Sequence, residues 1–312
     1  MGDRIFTCSH GFYSSLPNGR DITISPNGCL ISSVRLGTLR ISEVDTGVTT
    51  HTIDGPGNIG DVMFFPDSRL LILSSEPTYK AYEDFRDHTG LLSIYDMEKS
   101  ETVRTIKSPR IVIQIVDISQ NSDLLALQTR SNDGYYREQL EIIDIRTEET
   151  ICELVLDQGA SGVLLDRDFT MCAWRRGDDK WVISNISTRQ LIARLSPVYS
   201  PTRISFNTGS TLLSTSMGGI QIDKLKANSE LIHGLDQYDR VGYGISDDMA
   251  WILWNNTKLF WLPPALRPER RSFGSCVEVS GSTVMIGTHS GRVLFFIFDI
   301  GDFLRDAASF TL

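Results

Sequence analysis

One short turn recurs along the chain and constrains its fold more than any other feature. Ser25-Pro26-Asn27-Gly28 joins an alternating strand, Ile22-Thr23-Ile24, to an apolar one, Cys29–Leu36. Proline presets φ for a turn, and Asn and Gly accept positive φ. The same punctuation returns at Phe65-Pro66-Asp67-Ser68, Ser119-Gln120-Asn121-Ser122, Leu165-Asp166-Arg167-Asp168, Phe206-Asn207-Thr208-Gly209, Ile245-Ser246-Asp247-Asp248 and Val279-Ser280-Gly281-Ser282. An apolar run follows each copy. The mean spacing is about 42 residues, a period that belongs to stacked repeats.

The first copy, Asp21–Asp54, serves as template. After the second strand, Gly37 permits a tight turn into Thr38–Asp45. Thr46-Gly47 then turns the chain into Val48–Ile53. Four short strands in sequence make one antiparallel meander. Alone it leaves its apolar faces wet; stacked on copies of itself it buries them. Other marks keep the rhythm. The third strand ends in an apolar residue and Asp at Val44-Asp45, Tyr95-Asp96, Ile143-Asp144, Ile222-Asp223 and Phe298-Asp299, with Ser184-Asn185 and Trp261-Leu262 in the two remaining repeats. These carboxylates are expected to be structural and to share one position. A polar pair opens the fourth strand at Thr46-Gly47, Lys99-Ser100, Thr147-Glu148 and Thr188-Arg189.

The expected fold is therefore all-β, a seven-bladed β-propeller of four-stranded antiparallel blades. Residues 1–312 form one domain. The seventh repeat lacks a fourth strand, and Arg4–Ser9 has no repeat of its own. Arg4–Ser9 is expected to pair there and close the ring, which removes exposed strand edges. Gly301–Phe310 has mild helical character.

With these repeats in view the chain resembles the WD-repeat propellers, in degenerate form. Those repeats carry a Gly-His dipeptide before the first strand and Trp-Asp after the third. Here His10-Gly11 and His233-Gly234 have the reverse order, and Trp-Asp is absent. The stretch Ser275–Val284 with Ser290-Gly291-Arg292-Val293-Leu294 is similar to the last propeller blade of fungal NACHT-type intracellular receptors. That resemblance implies a ligand-sensing or protein-docking module normally joined to a nucleotide-binding domain. The chain itself has no GxxxxGK[ST] phosphate loop.

Composition narrows the function. A net charge of −9 argues against a nucleic-acid surface. Cys8, Cys29, Cys152, Cys172 and Cys276 are odd in number and scattered, which favours reduced thiols and a cytoplasmic setting. Cys29 and Cys172 are expected to be buried small hydrophobes. Met1–Ser15 lacks the pattern of a signal peptide, and the longest apolar run, Val293–Phe298, is too short to span a bilayer. His10, His51, His88, His233 and His289 show no metal-ligand spacing, and GxSxG is absent. Asp166/Asp168, Asp178/Asp179 and Asp247/Asp248 read as turn chemistry. No cofactor, metal or catalytic residue is expected.

Two insertions mark the expected site. The second and third strands are separated by Ser75–Gly90 in repeat two and by Arg130–Gln139 in repeat three. They carry Tyr79, Tyr82, Phe85, Tyr135 and Tyr136; the matching turn of repeat four adds Trp174, Arg175 and Arg176. Loop aromatics supply contact area at low entropic cost. The reading is a non-catalytic protein-interaction scaffold or sensor with a protein partner. The alternative is a propeller enzyme or small-ligand binder of hydrolase, lactonase or quinoprotein type, using the channel mouth. Pro263–Ser275 reads as a linker, and Trp251, Trp254 and Trp261 as packing between blades.

Overall fold

The computed structural model describes residues 22–298 apart from 36, 55–58, 76–89, 132–136, 178–179, 197–203, 208, 216–217, 226–231, 234–239, 269, 272–273, 276 and 289. Arg4–Ser9 and Gly301–Phe310 lie outside them. The chain divides into two compact units, residues 1–151 and 152–312.

Seven antiparallel meanders follow one another among the described residues. Sheet one is Ile22–Ile24, Leu30–Arg35, Thr38–Glu43 and Thr49–Asp54. Sheet two is Ile59–Phe64, Leu70–Ser75, Gly90–Asp96 and Glu101–Ser108. Sheet three is Ile111–Ile118, Leu124–Arg130, Glu138–Asp144 and Thr150–Val155. Sheet four is Ser161–Leu165, Met171–Arg175, Trp181–Asn185 and Leu191–Ser196. Sheet five is Ile204–Phe206, Leu212–Thr215, Gly218–Gln221 and Arg240–Val241. Tyr243–Ile245, Trp251–Trp254 and Thr257–Trp261 form sheet six; Val277–Ser280, Thr283–Gly287 and Val293–Ile297 form sheet seven. The fold class is all-β with seven blades, as the repeats require.

Blade four departs from the template. Its outer strand, Leu191–Ser196, is joined in parallel by Ile232–His233, from the connection inside blade five. Sequence reading missed this strand, because two residues carry no periodicity. Pro263–Ser275, read as a linker, holds a 3₁₀ turn at Pro264–Leu266 and a ribbon of Arg270–Arg271 with Gly274–Ser275.

The period-2 pattern explains the core. In Leu70–Ser75, Leu71 and Leu73 pack with Leu39, Ile41 and Val62, while Ile72 packs with Ile115, Leu125 and Leu127. A strand buried on both faces reads as a continuous apolar run. In the second unit one cluster runs from Met171 to Ile286. Tyr243 of sheet six stacks on Phe298 with centroids 4.5 Å apart, and Trp254 lies 4.5 Å from the same tyrosine. Trp261, expected to pack between blades, is 46% exposed. It sits on an outer strand, with Arg267 over its ring at 5.9 Å.

Each recurring turn holds one residue in the left-handed region: Gly28, Ser68, Ser122, Phe169, Ser210, Met249 and Gly281. In the first three copies this is the last residue of the turn as read from sequence. In the next three it falls one residue later, and in the seventh one earlier. The side chain at the turn's first position usually closes it. Ser25, Ser119 and Ser246 accept the N–H five residues on with Oγ, at 2.9 Å each. Asp166 and Asn207 accept that N–H and the one before it. Phe65 has no acceptor, and Asp67 Oδ1 takes the N–H groups of Arg69 and Leu70 instead. Asp166 and Asp248 are thus turn caps, but Asp247 accepts from buried Arg240 at 2.7 Å. Asp178/Asp179 lie outside the described residues.

A second bond appears seven times. The N–H of Val44, Met97, Ile145, Ile186, Ile222, Leu262 and Phe298 donates to the carbonyl of Cys29, Arg69, Asp123, Thr170, Thr211, Ala250 and Ser282 respectively. These anchors correct the Asp series. Asp96 and Asp144 directly precede the anchor, and Asn185 takes that place in sheet four. Each caps the corner with Oδ1, accepting from N–H groups two or three residues on. Asp45 and Asp223 follow the anchor, so they occupy a different position, and Glu43 fills the slot in sheet one. Asp299 lies outside the described residues. Cys29 is also corrected: it lies in the turn that precedes Leu30–Arg35 rather than in the strand, and it is exposed, its thiol donating to the Asn27 carbonyl at 3.6 Å. Cys172 is buried as expected, and burial pushes its thiol up.

These caps set the acid response. The Arg69 guanidinium holds Asp96 below the usual carboxylate range. The Thr147 N–H does so for Asp144 and the Ser246 hydroxyl for Asp248. The folded state therefore binds these protons more weakly than the unfolded chain. Their stabilisation is complete above the ordinary value of 3.8. It is lost as pH falls through the lowered folded values. Urea midpoints should be level from pH 7 to about pH 4.5 and fall below about pH 4, with a shallower fall in Asp144→Asn. A midpoint unchanged at pH 3 would contradict the assignment.

Candidate functional site

The insertions interrupt hairpins whose bases are rigid. In sheet two the ladder runs to Ser75 opposite Leu91, and the Gly90 N–H then turns to the Arg110 carbonyl at 3.0 Å. In sheet three Arg130 faces Glu138. Beyond them, the Ser131 N–H donates to the Arg137 carbonyl at 2.9 Å, and the Arg137 N–H returns to Ser131 Oγ at 3.1 Å. Both loops thus leave the ends of their second strands, in adjacent sheets of one unit. Tyr79, Tyr82, Phe85, Tyr135 and Tyr136 lie outside the described residues.

Close to the strand ends that flank these insertions lies a polar layer that sequence reading did not pick out. Glu141 is fully buried on the third strand of sheet three. Its Oε1 accepts from Arg110 Nη1 and from Thr129 Oγ1, while Oε2 has no hydrogen-bond partner among the described residues. Glu138, 6% exposed, accepts from Gln128 Nε2 at 3.0 Å and Arg130 Nη2 at 3.1 Å. Asp61, 1% exposed, accepts the Ile115 N–H at 2.8 Å and so ties sheet two to sheet three. Charged residues at strand positions otherwise buried were the available signal: Glu138 and Glu141 interrupt the apolar alternation of Glu138–Asp144.

Trp174 is corrected. It belongs to Met171–Arg175 rather than to a loop, and it is 4% exposed. Its indole N–H donates to Asp157 Oδ2 at 3.1 Å, and Arg176 Nε lies 3.6 Å from Asp157 Oδ1. A strand-end indole facing the core cannot offer its ring to a partner. Arg175 is half-buried in the strand, opposite Trp181. Arg176 keeps 31% of its side chain exposed. Asp157, which organises this corner, was not singled out in the sequence; the turn it opens, with Gly159 at φ +74°, was the available mark.

Among the described residues no three His, Cys, Asp or Glu side chains gather as a metal site, and no helix is long and apolar enough to cross a membrane.

No family model matches the chain. The solved structure of Kuenenia stuttgartiensis hydrazine synthase shares its fold with TM-score 0.54. The match covers 89% of this chain and 83% of that one at 13% identity, a likeness that speaks for the fold alone. In sequence, 97 residues, 31% of the chain, are 31% identical to vegetative incompatibility protein HET-E-1 of Podospora anserina. Over that stretch the chain is similar to a vegetative incompatibility protein, and its fold is that of a seven-bladed propeller. The matched stretch spans 7% of HET-E-1.

Proposed function

We propose that this propeller is a non-catalytic protein-interaction module, the partner-recognition part of a larger receptor of fungal type acting in the cytoplasm. The observation that carries the reading is the placement of the two insertions. They spring from matching strand ends of adjacent sheets, over a fixed base, and they hold five aromatic residues. Similarity to a vegetative incompatibility protein supports a role in recognition. With Trp174 withdrawn, the recognition residues are Tyr79, Tyr82, Phe85, Tyr135 and Tyr136, with Arg175 and Arg176 from blade four.

The test is affinity capture with quantitative mass spectrometry. Wild type is compared with a variant carrying Tyr79, Tyr82, Tyr135 and Tyr136 as Ser, both first shown to melt at the same temperature. A protein enriched by wild type and reduced at least about tenfold in the variant is the expected result, since interface aromatics often contribute more than 1 kcal/mol each. Equal recovery by both would overturn the placement of the site.

A further inference from the structure

One position on the outermost strand of a blade recurs with a distinctive backbone. In sheets one, two and four the third and fourth strands carry a bulge directly after a buried isoleucine: Ile41, Ile94 and Ile183. The residues opposite those isoleucines are His51, Arg104 and Ala193. In sheet three the same place falls to Cys152. The Asp144 N–H donates to the Glu149 carbonyl as the Glu43 N–H does to Val48, and Cys152 and His51 each lie three residues further on. A bulge re-aims the side chain beside it.

What those side chains reach is the next blade. His51 Nε2 lies 2.9 Å from the Met97 carbonyl. Arg104 Nη2 donates to the Arg146 carbonyl at 2.8 Å, and Cys152 Sγ to the Ile186 carbonyl at 3.5 Å. Met97 and Ile186 are anchor residues of the corner after the third strand, and Arg146 directly follows the anchor Ile145. Ala193 has nothing to offer, and its strand is the one joined by Ile232–His233 from the following repeat.

We infer that this position is an inter-blade latch: a side chain re-aimed beside the bulge that fastens the outer strands of blades one, two and three to the corner of the blade after each. The donor does the fastening at His51, Arg104 and Cys152, and the borrowed strand Ile232–His233 replaces it where the residue is Ala193. The latch holds the corner amides of the next blade closed, so its loss is felt across the junction rather than within the blade that carries it.

Native-state hydrogen exchange read by NMR on the full chain tests this. Donor-lacking variants His51→Ala, Arg104→Ala and Cys152→Val are paired with donor-keeping variants His51→Gln, Arg104→Lys and Cys152→Ser. Loss of a hydrogen bond should speed exchange about five- to tenfold at the facing corner: Glu98 and Lys99 for His51, Arg146 and Thr147 for Arg104, and Thr188 for Cys152. The recurring turn within the mutated blade should exchange as in the parent, and donor-keeping variants should stay within about twofold of it. A purely local packing role predicts the reverse pattern, with the mutated blade's own amides speeding up. Corner amides unchanged in the donor-lacking variants, or equally fast in the donor-keeping ones, would overturn the latch. Cys152→Val, nearly isosteric, keeps the test available if an alanine variant fails to fold.

Discussion

Arg110→Ala should lower the stability of the chain by about 3–5 kcal/mol, the effect of leaving a buried carboxylate without its counter-charge. Glu141 has no exposed side-chain surface, and Arg110 is its only cationic partner among the described residues. Thr129 donates one hydrogen bond at 2.8 Å, which does not neutralise a charge. The second carboxylate oxygen is already unpartnered among the described residues, so none of them holds a reserve bond to take up the loss. The measurement is a urea titration of wild type and variant. Glu141→Gln placed on the Arg110→Ala background should recover at least half of the loss, because an amide is far less costly to bury than a carboxylate. An Arg110→Ala variant within about 1 kcal/mol of wild type would show that Glu141 does not depend on the pair.

Gly90→Ala should cost about 3 kcal/mol, near the upper end of what overpacking costs. A Cβ built there lies 2.6 Å from Val112 Cγ2 and 2.8 Å from the Arg110 carbonyl oxygen. A valine methyl can be trimmed, but a carbonyl that also accepts the Gly90 N–H cannot retreat without breaking that bond. Val112→Ala on the Gly90→Ala background should therefore recover only part of the loss. Gly47→Ala is the contrast. Its Cβ meets nothing within 4 Å, yet φ is +72°. The cost there is strain alone, about 1 kcal/mol. Equal losses at Gly90 and Gly47 would mean that the close approach at Gly90 relaxes freely.

The turn series was legible in the sequence because Ser, Asp, Asn and Gly advertise turns by their own chemistry. The residue that takes the left-handed conformation was not legible to the same degree: it is the turn's last residue as read in three copies and lies one position away in four, and at Phe169 and Met249 the residue type gives no such sign. Their strain is carried by the bonds around them, which composition does not display. The Asp series looked like one position because apolar–Asp pairs recur at the right spacing. Only the anchoring N–H separates Asp96 and Asp144 from Asp45 and Asp223. The loops were visible as insertions, but the fixed base under them was not. Arg110, Thr129 and Glu141 are brought together by the pairing of the first three strands of sheet three, across separations that no local spacing reveals. Trp174 was misplaced for the opposite reason. An indole next to two arginines and a glycine looks like a loop until Asp157, on the preceding connection, is seen to receive its N–H.

The way each corner is held has a bearing on how such a chain can change over generations. The cap on the recurring turn, the left-handed residue and the anchor N–H are all supplied from within a single repeat. Among the described residues seven corners are anchored in this way without a Trp-Asp pair, and the preceding blade adds only the latch. A repeat built this way is a nearly portable cassette. It can be copied, lost or recombined with its turn cap and anchor intact, needing only a neighbour to supply the latch, while its insertions diversify in sequence.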